Sequence, residues 1–343
     1  MKTCAFVSFR LGLSDGVSIV AQRWGEALAE LGYQIVNVAG EGPVDRTVSG
    51  LEIGATSPPD DDALAQALAD ADLVVVENLC SIPLNLAASR AVARTLAGRP
   101  AIMHHHDPPW QRERYGHITE LPMRDPAWQH VTINELTRTQ MADRGFEATT
   151  IYNPFRTDEA PGARASTRAA LGIHDDRLVV AHPVRAIPRK NIPLALRLAE
   201  ELDGTYWLLG QAEEGYGAHL DWLLSTSSVP VIRQPAPSIP DIYAAADVVV
   251  FPSLWEGFGN PPIEASIHRR PVIVGNYPVA DELGSLGFRW FRPEQVDDVQ
   301  AFLDAPDRDL LDQNHKIAVE RFSIEASKRL LAGLIVSAGW ELP

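Results

Sequence analysis

The chain has 343 residues, 45% hydrophobic and 22% charged, with a formal charge of −15. Its length exceeds what one hydrophobic core commonly serves, so two globular domains are expected and a fibrous or disordered chain is not. The acidic balance, with no basic stripe, argues against a nucleic-acid binder or a protein docked on an anionic membrane, and no apolar run is long enough to span a bilayer.

Residues 1–9 are too short an apolar stretch for a signal-peptide core, and Cys4 and Cys80 make no disulfide framework. A cytoplasmic location is therefore expected. Only four of the thirty basic residues are lysines, and Lys190 stands alone between Lys2 and Lys316.

The opening predicts a strand over 3–9, a glycine-containing loop over 10–16, a helix over 17–31 ending at Gly32, and a strand over 34–38. A helix over 63–71 and an apolar strand over 73–76 follow. A helix over 84–96 then leads to a strand over 101–103, which runs into His104, His105, His106 and Asp107. A strand over 130–133, a helix over 134–143 and a strand over 149–152 complete this half.

Residues 158–168, rich in Pro, Gly, Ala and Arg, read as a linker, after which the pattern restarts. Strands are predicted over 178–181, 206–209, 229–232, 248–251 and 272–274, with helices over 193–202, 239–245 and 261–269. Strands alternating with helices indicate an α/β chain with two Rossmann-like, doubly wound parallel sheets. Domains are expected at 1–157 and 158–323, with a terminal helix in 324–343 packing back on the first. Two such sheets facing each other would leave a cleft at the C-terminal ends of the strands, where open α/β sheets bind ligands.

Chemistry concentrates in residues 251–265, Phe-Pro-Ser-Leu-Trp-Glu-Gly-Phe-Gly-Asn-Pro-Pro-Ile-Glu-Ala. A buried strand ends in a loop holding Gly257 and Gly259, and the loop feeds a helix with prolines in its first turn. Loop glycines allow close backbone approach, and a helix start presents N–H groups and a positive dipole end, which suits a diphosphate. Glu256 and Glu264 bracket this anion site, and carboxylates accept hydrogen bonds from paired sugar hydroxyls. Read blandly, a first-turn Glu answers only the helix dipole and the glycines only shape the turn. Likewise, Arg185 and Lys190 taken alone are ordinary surface charges.

The run as a whole resembles the signature of family 4 glycosyltransferases, retaining enzymes of GT-B fold whose two glutamates are separated by seven residues. Other stretches are similar in the same order. They are Asp15-Gly16-Val17-Ser18 for the N-terminal glycine loop, 102–107 for the strand ending in His-Asp, 151–154, 183–190 with Arg185 and Lys190, and 242–253. The chain departs from the pattern at Asp15 and Val184, where glycine is usual. It departs also at Asn191 after the lysine, at Glu77-Asn78 where relatives often carry histidine, and at Asn134 in place of serine.

The resemblance implies a metal-independent enzyme that moves a hexose, with retention, from a nucleotide diphosphate sugar of the UDP-glucose or GDP-mannose type. The acidic charge adds the expectation of a soluble acceptor, a small polar metabolite or a glycan. No cofactor and no nucleic-acid partner are expected. On this resemblance Arg185 and Lys190 clamp the diphosphate and stabilise the leaving group. Gly257, Phe258, Gly259 and Asn260 contribute at the donor, Glu256 holds the transferred sugar, and Glu264 holds the ribose. His106 orients the sugar, Gly16 lets the first loop approach the donor, and Ser18, Asn78 and Asp107 fall on the acceptor side.

Other readings are weaker. The first loop lacks the Gly-x-Gly-x-x-Gly spacing of a nicotinamide enzyme. A pyridoxal-phosphate phosphorylase would need a Schiff-base lysine, for which Lys190 is the sole central candidate. His104 and His106, on one face of a strand, offer two metal ligands but lack an evident third. The alternative from another class is a non-catalytic nucleotide-sugar binder or sensor.

Overall fold

The computed structural model of the chain covers residues 1–343 and divides into two compact units, Met1–Phe155 with Phe322–Pro343, and Arg156–Arg321. In the first unit β1 (Thr3–Arg10) is followed by α1 (Gly16–Glu30), β2 (Gln34–Glu41), β3 (Arg46–Thr47), α2 (Asp61–Ala67) and β4 (Leu73–Glu77). Next come α3 (Leu86–Leu96), β5 (Ala101–His105), β6 (Trp128–Thr132), α4 (Glu135–Ala142) and β7 (Thr149–Thr150). The strands form one sheet in the order β3-β2-β1-β4-β5-β6-β7, and every pair is parallel.

A parallel sheet covered on both faces needs apolar side chains on both, which is why β4 reads Leu-Val-Val-Val-Glu and is buried throughout. Alternate residues feed two cores. Phe6 and Val75 pack with Trp24 and Leu28 of α1 on one face. Val7, Val74 and Val76 pack with Leu64 of α2 and Val92 of α3 on the other.

The second unit contains α5 (Arg164–Ala170), β8 (Val179–His182), α6 (Ile192–Glu201), β9 (Thr205–Leu208), α7 (Gly217–Thr226) and β10 (Val231–Ile232). It continues with α8 (Ile239–Ala245), β11 (Val248–Phe251), α9 (Asn260–Ile267), β12 (Val272–Val274), α10 (Pro278–Gly284), α11 (Val296–Asp304) and α12 (Arg308–Phe322). Its five strands are parallel, in the order β10-β9-β8-β11-β12. The final helix, α13 (Ile324–Ser337), lies in the first unit, where Leu331, Leu334 and Ile335 join the Trp24 core.

The expected pair of doubly wound parallel sheets is present. The linker reading of 158–168 fails in its second half, because α5 starts at Arg164. Arg168, the last residue of that segment, is fully buried. Its guanidinium bonds the Ala245 carbonyl at 3.0 Å and Asp247 at 3.2 Å, while Arg164 bonds Asp247 at 2.5 Å. A buried guanidinium that satisfies carbonyls at a helix end has no signature in local composition.

Candidate functional site

In the second unit β11 delivers the chain into the loop 252–259, and α9 follows. Gly259 is the N-cap of α9 at φ +94°, and a Cβ there would lie 2.6 Å from the Tyr277 hydroxyl and 3.0 Å from the Phe251 ring. Only glycine fits that position. Pro261 and Pro262, in the first turn, withhold two N–H groups. The backbone that approaches this turn without proline is that of residues 257–260.

A second segment is tied against this loop. Residues Pro188–Lys190 make a single tight helical turn that ends at Asn191 in the left-handed region, φ 54°, before α6 starts. Asparagine tolerates that conformation better than most residues, which accounts for its standing where glycine is usual. The Leu254 N–H donates to the Arg189 carbonyl at 2.9 Å, and Asn191 Nδ2 donates to the Pro252 carbonyl at 3.3 Å.

Through these bonds Lys190 and Glu256 meet. Lys190 Nζ donates to Glu256 Oε1 at 2.6 Å, and Nζ lies 4.7 Å from the centre of the Phe251 ring. Arg189 donates to the other oxygen, Glu256 Oε2, and to the Trp255 carbonyl at 3.2 Å. Both Lys190 and Glu256 are buried. Burial pushes the Lys190 ammonium down, opposed by Glu256 and reinforced by Arg189 and Arg185. One carboxylate thus faces two cations, and the excess positive charge in a partly desolvated place is what a phosphate group needs.

Arg185 stands apart from this contact: it is about half exposed and pairs with Glu213 at 2.7 Å. Glu264, on α9, accepts a hydrogen bond from the Tyr243 hydroxyl at 2.6 Å, and Tyr243 stacks on His268 with ring centres 5.0 Å apart.

The first unit has its own polar cluster at the ends of β4 and β5. The two strands are neighbours with Glu77 opposite His104. His104 Nδ1 lies 3.0 Å and His106 Nε2 2.9 Å from Glu77 Oε2. Trp24 stacks on His104 with centres 3.9 Å apart. Burial would raise the Glu77 carboxyl, but the His104 charge and hydrogen bonds from both imidazoles outweigh it and bring it to about 2. His105 turns to other partners, Ser81 Oγ at 2.5 Å and His130 at 2.9 Å.

Asn78 and Asp107 are brought together. Asn78, at φ 57°, accepts the His106 and Asp107 N–H groups at 3.2 and 3.0 Å and donates to Asp107 Oδ2 at 3.2 Å. Asp107 also pairs with Arg112 at 2.5 Å. Asp15 caps α1, accepting from the Ser18 N–H at 3.3 Å and the Ser18 hydroxyl at 2.9 Å. The aspartate that replaces a usual glycine therefore has a structural task, and the Ser18 hydroxyl is engaged in it. A Cβ on Gly16 would meet nothing within 4 Å.

Glu77 also supplies the third metal-ligand type that the two histidines lack in the sequence. The ligand atoms of Glu77, His104 and His106 lie within 4.8 Å of one another. Two imidazole N–H donors on one carboxylate account for the same distances without an ion.

Comparison with known proteins bears on the cluster in the second unit. Residues 184–308 match the family model described as glycosyl transferases group 1. The segment holds Arg185, Arg189, Lys190, Tyr243, Glu256, Gly259 and Glu264, hence the whole phosphate-suited cluster. D-inositol 3-phosphate glycosyltransferase of Mycolicibacterium smegmatis is 33% identical over 132 residues, 35% of this chain and 30% of that protein. The protein of the same name from Mycobacterium bovis BCG Pasteur is 36% identical over 139 residues, 37% of this chain and 29% of its own. The alignments thus span about a third of the length of these curated relatives.

The group 1 segment sits in a chain of GT-B architecture. Anabaena HepE, solved with UDP and glucose, superposes with a TM-score of 0.77 at 18% identity, covering 98% of this chain and 100% of its own. Sucrose-phosphate synthase from Thermosynechococcus elongatus gives 0.71 at 16% identity, with coverage of 98% and 99%. No helix of the chain is long and apolar enough to cross a membrane.

Sequence reasoning passed over Arg189, the second cation on Glu256, although it adjoins Lys190 in the run Pro188-Arg189-Lys190. It noticed Glu77 only as a departure from the resembled pattern. The signal it had for neither was strand adjacency, which places β4 beside β5 and the 188–190 turn beside the loop after β11.

Proposed function

We propose that the protein transfers a hexose from a nucleoside diphosphate sugar of the UDP-glucose or GDP-mannose type to a soluble polar acceptor. The Lys190–Glu256–Arg189 cluster carries this reading. A diphosphate entering beside residues 257–260 would draw Lys190 and Arg189 onto its oxygens, and the leaving group's growing charge would be met by groups already in place. Glu256, released from part of that pairing, then has an oxygen for a sugar hydroxyl. Glu264, steadied by Tyr243, would take the ribose hydroxyls. Arg185, on its surface pair, is the most readily recruited of the remaining cations.

His106 is assigned to the sugar, with Asn78 and Asp107 on the acceptor side. The reaction is assigned retention of the anomeric configuration and no requirement for metal or cofactor. The presence of UDP and glucose in HepE, which shares the fold, supports the donor class.

The test is thermal stabilisation by a panel of nucleoside diphosphates and their sugars, with magnesium and with chelator. A ligand at a hundredfold excess over its Kd adds about 2.7 kcal/mol. A shift confined to one base, equal in both conditions, supports the reading and names the base. No shift with any of them would overturn it. Turnover, with the anomeric configuration of the product read by NMR, separates the enzyme from a donor-binding sensor.

A further inference from the structure

The proposed function gives the fully buried Glu77 no role, yet His106, the imidazole proposed for the sugar, is fixed to it. Its Oε2 receives both His104 Nδ1, at 3.0 Å, and His106 Nε2, at 2.9 Å. The two rings use different nitrogens on one oxygen.

An imidazole that donates through one nitrogen keeps, when neutral, a lone pair on the other. For His104 that other nitrogen, Nε2, is buried with no partner beneath the stacked Trp24. Its burial pushes the His104 pKa down, against the pull of Glu77. The second nitrogen of His106 has different surroundings. Its Nδ1 makes no hydrogen bond within the chain and is not among the buried polar atoms lacking one, so the small exposed part of the ring includes it. The backbone N–H of His106 is held separately by Asn78 Oδ1 at 3.2 Å, so main chain and ring are fixed by neighbouring residues, 77 and 78.

We infer that Glu77 is a positioning residue: it holds His106 with Nε2–H turned inward, so that the imidazole presents an Nδ1 lone pair outward as acceptor for a hydroxyl of a polyhydroxy ligand. The identity of that hydroxyl as a sugar's rests on the proposed glycosyl transfer; the tautomer does not. A carboxylate is needed for the arrangement, because its oxygens only accept and cannot compete for the role of donor. Histidine, common at this position in the resembled family, would offer one acceptor nitrogen at most, and could not serve two rings at once.

The test starts with the intact wild-type chain labelled with ¹⁵N in its histidine rings, read by two-bond proton–nitrogen correlation at neutral pH. The His104 and His106 signals are assigned with His104→Gln and His106→Gln. The expected result is opposite tautomers, His104 protonated on Nδ1 and His106 on Nε2. Finding His106 protonated on Nδ1, alone or on both nitrogens, overturns the inference and needs neither a ligand nor an active preparation.

Glu77→Gln supplies the second reading. The near-isosteric amide presents its NH₂ to at least one of the rings, so the signals of His104, His106 or both should move to a different or mixed tautomer; where His106 moves, transfer should lose about tenfold in kcat through misplacement of the acceptor atom. Nucleoside diphosphate affinity, which belongs to the cluster at Lys190, should stay within about twofold of wild type. Unchanged signals of both His104 and His106 in Glu77→Gln would remove the positioning role. Loss of nucleotide binding in the wild type would instead count against the proposed function and leave the tautomer result standing.

Discussion

Lys190 and Glu256, 66 residues apart in the chain, are joined by a 2.6 Å charge-assisted hydrogen bond, and Arg189 closes on the second oxygen of the same carboxylate. The pairing makes the two partners unequal. Lys190→Met leaves Glu256 with Arg189 and should cost about 1 kcal/mol of stability, whereas Glu256→Ala strands two cations and should cost about 3 kcal/mol. For ligand binding the order reverses. Lys190→Met should weaken nucleoside diphosphate binding about a hundredfold, the loss of one charge-assisted phosphate contact. Denaturant melts and calorimetric titration of both variants check the two orders, and equal destabilisation would count against the geometry.

Gly259 and Gly16 make a contrasting pair. Gly259→Ala must place a Cβ 2.6 Å from the Tyr277 hydroxyl at φ +94°, and should cost about 1–3 kcal/mol and weaken donor binding. Gly16→Ala meets open space at the start of α1 and should leave Tm unchanged or slightly raised. If position 16 admits a ligand closely, as the resemblance implies, the same alanine should raise the donor KM while Tm holds.

Tyr243→Phe removes the hydroxyl that donates to Glu264 at 2.6 Å, with the ring left to stack on His268. Stability should fall by about 1 kcal/mol. If Glu264 holds the ribose, the variant should also bind nucleoside diphosphates more weakly, with little loss for their 2′,3′-dideoxy counterparts. Equal loss for both would separate Glu264 from the ribose.

Acid should destabilise the fold before carboxylates protonate. Burial lowers His182 to about 3, helped by nearby Lys190, and lowers His130 to about 4, helped by Arg124. The unfolded chain therefore binds more protons than the folded one between those values and the usual 6.5, so stability is complete above that pH and falls as pH drops toward them. Glu77 adds a further loss as pH falls from its usual 4.5 toward 2. Melting curves from neutral to acid pH should show this decline, and His182→Asn should reduce its slope by about one proton.

Much of the architecture is legible in local pattern. Runs such as Val248-Val249-Val250-Phe251 declare buried parallel strands, and the helices between them carry apolar residues at helical spacing. Several departures from the resembled pattern become intelligible as backbone chemistry. Asn134 caps α4, accepting from the Thr137 N–H at 2.6 Å, as a serine would. Asn78 and Asn191 occupy left-handed conformations. Helices α7 and α10 to α12 escaped the reading. In α7 only Leu220 is buried, so it lacks the broad apolar stripe that marks a core helix.

What the sequence by itself determined is the class of fold and the residues of the strand–loop–helix run from 248 to 265, because periodicity, glycine and proline act over a few neighbours. Only the tertiary structure decided which charges meet. Glu77 reaches His104 and His106 because β4 lies beside β5, and Arg189 joins Lys190 on Glu256 because the 188–190 turn is tied to the loop after β11. Parallel strands are joined by crossovers, so residues adjacent in the sheet are distant in the chain, and no local spacing records their meeting.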